Sequence, residues 1–222
     1  MNILIKKIQL LNTPIVALLQ LSAFCILLIV ISFARSANIT YFFLGWNLFL
    51  AWIPLILAKI WSNRLLQKPL KEWKSVIMFG LWLLFFPNSP YLITDLIHLD
   101  TRFNASVWSD TLLLFSLAFA GLVVGLYSLH LVHKILIAYF NDFKSWLIIL
   151  SSIVLTGFGI YLGRVQRWNS WDLFTNPFNL INDVFLQLGN PQAIKMTIGF
   201  SALLFIVYYM LRRIISYEKT QK

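Results

Sequence analysis

An aspartate, a histidine and two arginines could do chemistry in a chain whose apolar stretches otherwise carry almost no charge. Asp95 and His98 stand one helical turn apart. A carboxylate beside an imidazole can orient it as a general base, or the two can supply a pair of metal ligands. Arg164 and Arg167, at i and i+3, could grip a phosphate, because guanidinium binds such oxyanions in a bidentate fork. Polar and aromatic residues flank both pairs: Asn88, Ser89 and Tyr91 precede Asp95, and Trp168, Asn169, Trp171 and Asp172 follow Arg167. The expected site is therefore Asp95 and His98 as catalytic groups, with Asn88, Ser89, Tyr91, Arg164, Arg167, Trp168, Asn169, Trp171 and Asp172 for binding. No resident metal is expected, since the lone Cys25 leaves no cysteine-based metal site and excludes an internal disulfide framework. No Gly-x-Ser-x-Gly, His-Glu-x-x-His or cysteine nucleophile motif is present.

The elements that must position these groups belong in lipid. The 222 residues are 59% hydrophobic and only 12% charged, with a mean hydropathy of +0.78. A soluble domain of this length could not cover so much apolar surface. Stretches of roughly 20 apolar residues, enough to cross a bilayer, recur along the chain. A net charge of +10 would suggest nucleic acid for a soluble protein. Here the basic residues cluster between spans, as membrane orientation requires, and nucleic acid is set aside as a partner.

The fold class expected is all-α: a polytopic membrane bundle of six helices filling residues 1–222 as one integral membrane domain. The spans are placed at 14–34, 40–60, 75–99, 108–133, 145–163 and 193–211. Thr13-Pro14 reads as the start of the first, in which Gln20 and Ser22 face other helices. Asn47, alone as a strongly polar residue in the second, reads as an interhelical hydrogen bond. The third is broken at 87–90, because proline lacks a helical N–H and pushes its predecessor out of αR. Ser89 then reads as an N-cap and Pro90 as the first residue of a second short helix, which puts Tyr91, Asp95 and His98 on one face. Gly121-x-x-x-Gly125 in the fourth span allows close helix contact, and His130 and His133 share a face near its end. Between the fifth and sixth spans, apolar residues recur at helical spacing from Phe178 to Leu188. That pattern predicts an interfacial amphipathic helix over 177–188.

Orientation follows from charge. Five of the 18 Lys and Arg (Arg35, Arg102, Arg164, Arg167 and Lys195) fall in alternate segments, and the other thirteen fall in the N-terminal, even-numbered and C-terminal ones. The positive-inside rule then puts both termini in the cytoplasm and the protein in the inner (plasma) membrane. At ~1.5 Å per helical residue, Asp95 and Arg164 both lie roughly 30 Å from the cytoplasmic starts of their spans. Two polar motifs, distant in sequence, meet at one outer level.

Two stretches also carry a family resemblance: Phe86-Pro87-Asn88-Ser89-Pro90-Tyr91 with Thr94-Asp95-Leu96-Ile97-His98, and Gly163-Arg164 with Arg167-Trp168-Asn169-Ser170-Trp171-Asp172. Over roughly residues 20 to 213 the chain resembles a bacterial multi-pass membrane family known only as domain of unknown function 1361. The resemblance implies an integral membrane protein of several spans and brings no activity, cofactor or catalytic residue with it.

Three functions compete for the site. An outward-facing polar cup would bind or process a phosphorylated or lipid-linked headgroup, with the lipid bilayer and an anionic lipid or lipid-linked phosphate as partners. In a non-catalytic accessory protein, Asp95 would instead clamp Arg164 or Arg167 between spans, as intramembrane charges commonly do. Transport draws on the broken helix, but no ionisable residue stands at the centre of any expected span. The residues name no cofactor, and whether the site is enzymatic stays open at this stage.

Overall fold

In a computed structural model the described residues are 2–36, 40–67, 72–100 and 107–220, with side chains described for 14–35, 42–65, 73–97 and 108–217. The described residues are helical almost throughout. Six stretches are long and apolar enough to cross a membrane: Pro14–Arg35, Phe42–Leu65, Trp73–Ile97, Trp108–Tyr139, Asp142–Arg164 and Pro191–Tyr217. Each contains or closely overlaps a span expected from the sequence. The chain is a multi-pass membrane protein built as an all-helical bundle.

Helix α1 (Asn2–Ser36) runs through Pro14 rather than starting there, which corrects the expected boundary. Within it Ser22 is buried and accepts a hydrogen bond from Trp52 Nε1 at 3.0 Å, whereas Gln20 is exposed. Helix α2 (Thr40–Gln67) follows, then α3 (Glu72–Phe85), which stops just before Pro87. The break continues as the short helix α4 (Asn88–Tyr91) and a 3-10 helix over Leu92–Asp100. Helix α5 (Val107–Tyr139) is the most buried span, and α1, α2, α6 and the broken segment pack around it. Asn141 caps α6 (Asp142–Arg164) by accepting the Lys144 N–H at 2.9 Å. A single turn α7 (Asp172–Thr175), the amphipathic helix α8 (Pro177–Gln187) and α9 (Pro191–Thr220) complete the chain.

Two glycine pairs hold the break in place. A Cβ on Gly125 would lie 2.9 Å from the Ser89 Cβ, and one on Gly121 would meet the Ser89 carbonyl. On the opposite side, a Cβ on Gly159 would lie 2.8 Å from Pro87 Cγ and one on Gly163 3.1 Å from the Tyr91 ring. Residues 87–91 are thus nested between two glycine-x-x-x-glycine faces, one on α5 and one on α6. Small residues let backbones approach closely where lipid tails offer no hydrophobic drive.

The amphipathic helix α8 has its polar side turned inward. Trp168 Nε1 donates to Asp183 at 2.8 Å, and the buried Tyr161 hydroxyl donates to Gln187 at 2.7 Å. Its residues Phe178 and Phe185 are 86% and 69% exposed. A helix that hides polar groups in the protein and presents phenylalanine outward is arranged for apolar surroundings.

Candidate functional site

The charged pair is built from three elements. Asp95, in the 3-10 helix, is 1% exposed. Arg164, the last residue of α6, forms an ion pair with it through Nη2 and Oδ1. Asn47 of α2 donates from Nδ2 to the other carboxylate oxygen at 3.0 Å. The same arginine donates from Nε to the Thr94 hydroxyl at 2.8 Å and lies 4.8 Å from the Tyr91 ring centroid. One guanidinium therefore spans Tyr91, Thr94 and Asp95. A carboxylate this deeply buried is tolerable because both oxygens have charged or hydrogen-bonding partners.

Several expectations are revised. Ser89 does not cap the short helix. Pro87 occupies the N-cap position, and the buried Ser89 hydroxyl donates to the Ala51 carbonyl at 2.7 Å, tying the break to α2. Two amides at that helix start are taken up within the break itself. The Ser89 N–H donates to Phe86 O at 3.2 Å and the Tyr91 N–H to Pro87 O at 3.0 Å, while Pro90 has none. From Leu92 onward the winding is 3-10, so residues three apart eclipse and Tyr91 and Asp95 leave their expected common α-face. The His98 side chain lies outside the described residues. Arg167 does not pair with Arg164: the helix ends first, and Arg167 is exposed with φ of 63°. In that left-handed conformation a non-glycine residue marks a tight reversal. Of the two arginines it is Arg164 that Asp95 takes.

Beside the ion pair, a cavity of about 440 Å³ opens between α2, the break, α6 and α8. Helices α2 and α6 are bridged there by α4, which packs on both. Among the expected site residues, Asn88, Tyr91, Trp168, Asn169 and Trp171 line this space. Asp95, Ser89, Arg164, Arg167 and Asp172 do not. Asp95 and Arg164 lie behind Asn47 and Tyr91, which do line it. Asp172 instead organises the loop, accepting from the Asn169 N–H at 2.7 Å and the Thr175 hydroxyl at 3.1 Å. Among the described residues, the cavity wall carries no Lys, Arg, Asp or Glu.

Sequence reasoning passed over Trp46, Ser170 and the role of Asn47 as a lining group. Ser170 locks the loop onto the break: its hydroxyl donates to Leu84 O at 2.9 Å and accepts from Asn88 Nδ2 at 3.0 Å. Asn88 also donates to Phe85 O at 2.9 Å. Trp46 meets Trp171 across the cavity mouth, with ring centroids 6.5 Å apart and planes inclined at 64°. The available signals were the adjacency of Trp46 to Asn47 and of Ser170 to the quoted tryptophan motif. Among the described residues, no group of three or more His, Cys, Asp or Glu is placed to hold a metal ion.

A family model described as a protein of unknown function (DUF1361) matches residues 46–207. The matched span contains the broken helix, both glycine pairs, the ion pair and nearly all of the cavity. No curated protein and no solved structure matches the chain.

Proposed function

The chain belongs to this family of proteins of unknown function, and on that premise we propose that it holds the headgroup of a membrane amphiphile in the cavity between α2 and α6. The observation that carries this reading is the composition of the space. It has aromatic walls, a few convergent polar groups and a volume of about 440 Å³. Small-molecule pockets combine the same features at roughly 300–1,000 Å³. Depth supports an amphiphile. From Phe42, Trp46 and Leu50 lie roughly 6 and 12 Å into α2, the depth of the headgroup and upper acyl region. The positive-inside distribution puts that end on the outer face of the plasma membrane, with both termini cytoplasmic.

Asp95 and Arg164 serve here as an interhelical clamp, not as groups that touch the ligand. Buried ionisable residues in spans commonly pair across the bundle, and this pair fixes Asn47 and Tyr91, two lining residues, from behind. Catalysis by Asp95 would need access that its 1% exposure denies.

A cavity-filling substitution tests the reading without touching the clamp. Val184, on α8, lines the cavity, and Val184→Trp should occlude it. Purified wild-type protein, stripped of bulk lipid and examined by native mass spectrometry, should retain about one amphiphile per chain. Val184→Trp should lose that adduct at an unchanged oligomeric state. Equal lipid retention by both proteins would overturn the proposal.

A further inference from the structure

Resting on that reading, we infer that the headgroup taken by the cavity is neutral and hydroxyl-rich, a sugar or polyol, and not a phosphate. Among the described residues the wall contains no Lys or Arg, and the guanidinium behind Tyr91, that of Arg164, is already engaged by Asp95, Thr94 and the Tyr91 ring. An anion entering the space would lose hydration without gaining a counter-charge, a cost that buried ions escape only by pairing. Neutral donors and acceptors converge instead. Asn47, Asn88, Asn169 and Ser170 line the space; the Asn88 amide hydrogens go to Phe85 O and Ser170, and the amide oxygens are the acceptors that hydroxyl groups can donate to.

The aromatic geometry points the same way. Trp46 and Trp171 form a corner, with centroids 6.5 Å apart at 64°. The negative face of an aromatic ring attracts the partly positive C–H edge of its neighbour. A sugar ring presents axial C–H bonds on its faces and hydroxyls on its rim, so it can lie on an indole while its rim meets the amides. A quaternary ammonium head would also favour indole faces, but it carries no hydrogen to donate to the asparagine amide oxygens.

The full-length protein in detergent is incubated with an equimolar mixture of glucosyl-diacylglycerol, phosphatidylglycerol and phosphatidylcholine of matched acyl chains, and adducts are counted by native mass spectrometry. The glucosyl lipid should be retained over either phospholipid by about tenfold, equivalent to about 1.4 kcal/mol. Trp171→Leu should abolish that preference. Asn169→Ala, at an exposed loop residue that leaves the fold intact, should reduce it. Methyl glucoside is then added as a competitor. Displacement would locate recognition in the sugar alone, and retention would assign the source to a lipid-linked sugar; both support the inference. Preferential retention of phosphatidylglycerol or phosphatidylcholine, lost in Trp171→Leu, overturns the neutral-head inference and leaves headgroup binding standing. No preference and no effect of either substitution overturns both.

Discussion

The two ends of the bundle bury polar side chains by different means. At the Arg164 end, Asn47, Asp95 and Arg164 come from three elements and meet through charge and hydrogen bonds. At the opposite end the polar groups are aromatic or packed against aromatics. His133 Nδ1 lies 2.7 Å from the Tyr208 hydroxyl and the imidazole meets Trp146 edge-on at 4.7 Å, while midway along the bundle Trp82 stacks on Phe86 at 4.6 Å. His130 and His133 are thus buried, because the fourth span continues beyond them to Tyr139. The contrast shows how a membrane bundle keeps a space open. Where rings interlock, packing alone sets the helix spacing. Where α2 and α6 must stand apart, a directional ion pair anchored on the break does it instead.

The largest way to break that comparison is to remove the carboxylate. Asp95→Ala would leave the Arg164 guanidinium in a largely buried site without its counter-charge. Breaking one partner of a buried pair costs about 3–5 kcal/mol. A marked fall in the thermal midpoint of the detergent-purified protein is expected, with lower accumulation in the membrane. Replacing both partners, as Asp95→Asn with Arg164→Leu, should recover much of the loss. If Asp95→Ala melts like the wild type, the ion pair does not hold this end together.

A smaller effect is expected where the break is nested. Gly159→Ala would place a methyl group 2.8 Å from Pro87 Cγ, and the rigid proline ring cannot turn aside. Overpacking of this kind typically costs about 1–3 kcal/mol. Gly199→Ala, where an added Cβ meets nothing within 4 Å, is the control and should match the wild type. Midpoints measured side by side check the difference.

Much of this arrangement was legible before any coordinates. Long apolar runs declared six spans, since helices in lipid must be continuous enough to satisfy their own backbone. Pro87 and Pro90 declared the break, and depth counting brought Asp95 and Arg164 to one level. What stayed hidden depended on local winding and on three-dimensional neighbours. A 3-10 continuation after Tyr91 is set by packing of the break, and periodicity along one segment does not reveal it. Arg167 looked like a helical neighbour of Arg164 because nothing in Gly163-Arg164-Val165-Gln166-Arg167 announces where the helix ends. Gly121-x-x-x-Gly125 was visible, whereas Gly159-x-x-x-Gly163 gains its meaning only when Pro87 is seen between the two. The cavity was the least legible feature: half of its polar lining reads, along the chain, as ordinary interhelical asparagine and loop serine.

The smallest expected effect lies in the ring-packed middle of the bundle and sharpens the contrast most. Trp82 is fully buried, and its Nε1 donates to the Ser128 hydroxyl at 2.8 Å. Trp82→Phe keeps a ring on Phe86 and removes that donor. Ser128 sits in the middle of α5, where its hydroxyl can turn to the carbonyl one turn back, so it need not remain unsatisfied. The loss should therefore be about 1 kcal/mol, the net worth of one neutral hydrogen bond. Lipid retention in the native spectrum should not change, because this tryptophan packs in the core and does not line the cavity. A Trp82→Phe protein that kept its thermal midpoint but lost its lipid would couple the ring-packed core to the cavity, and the division of labour between charge and packing would then be wrong.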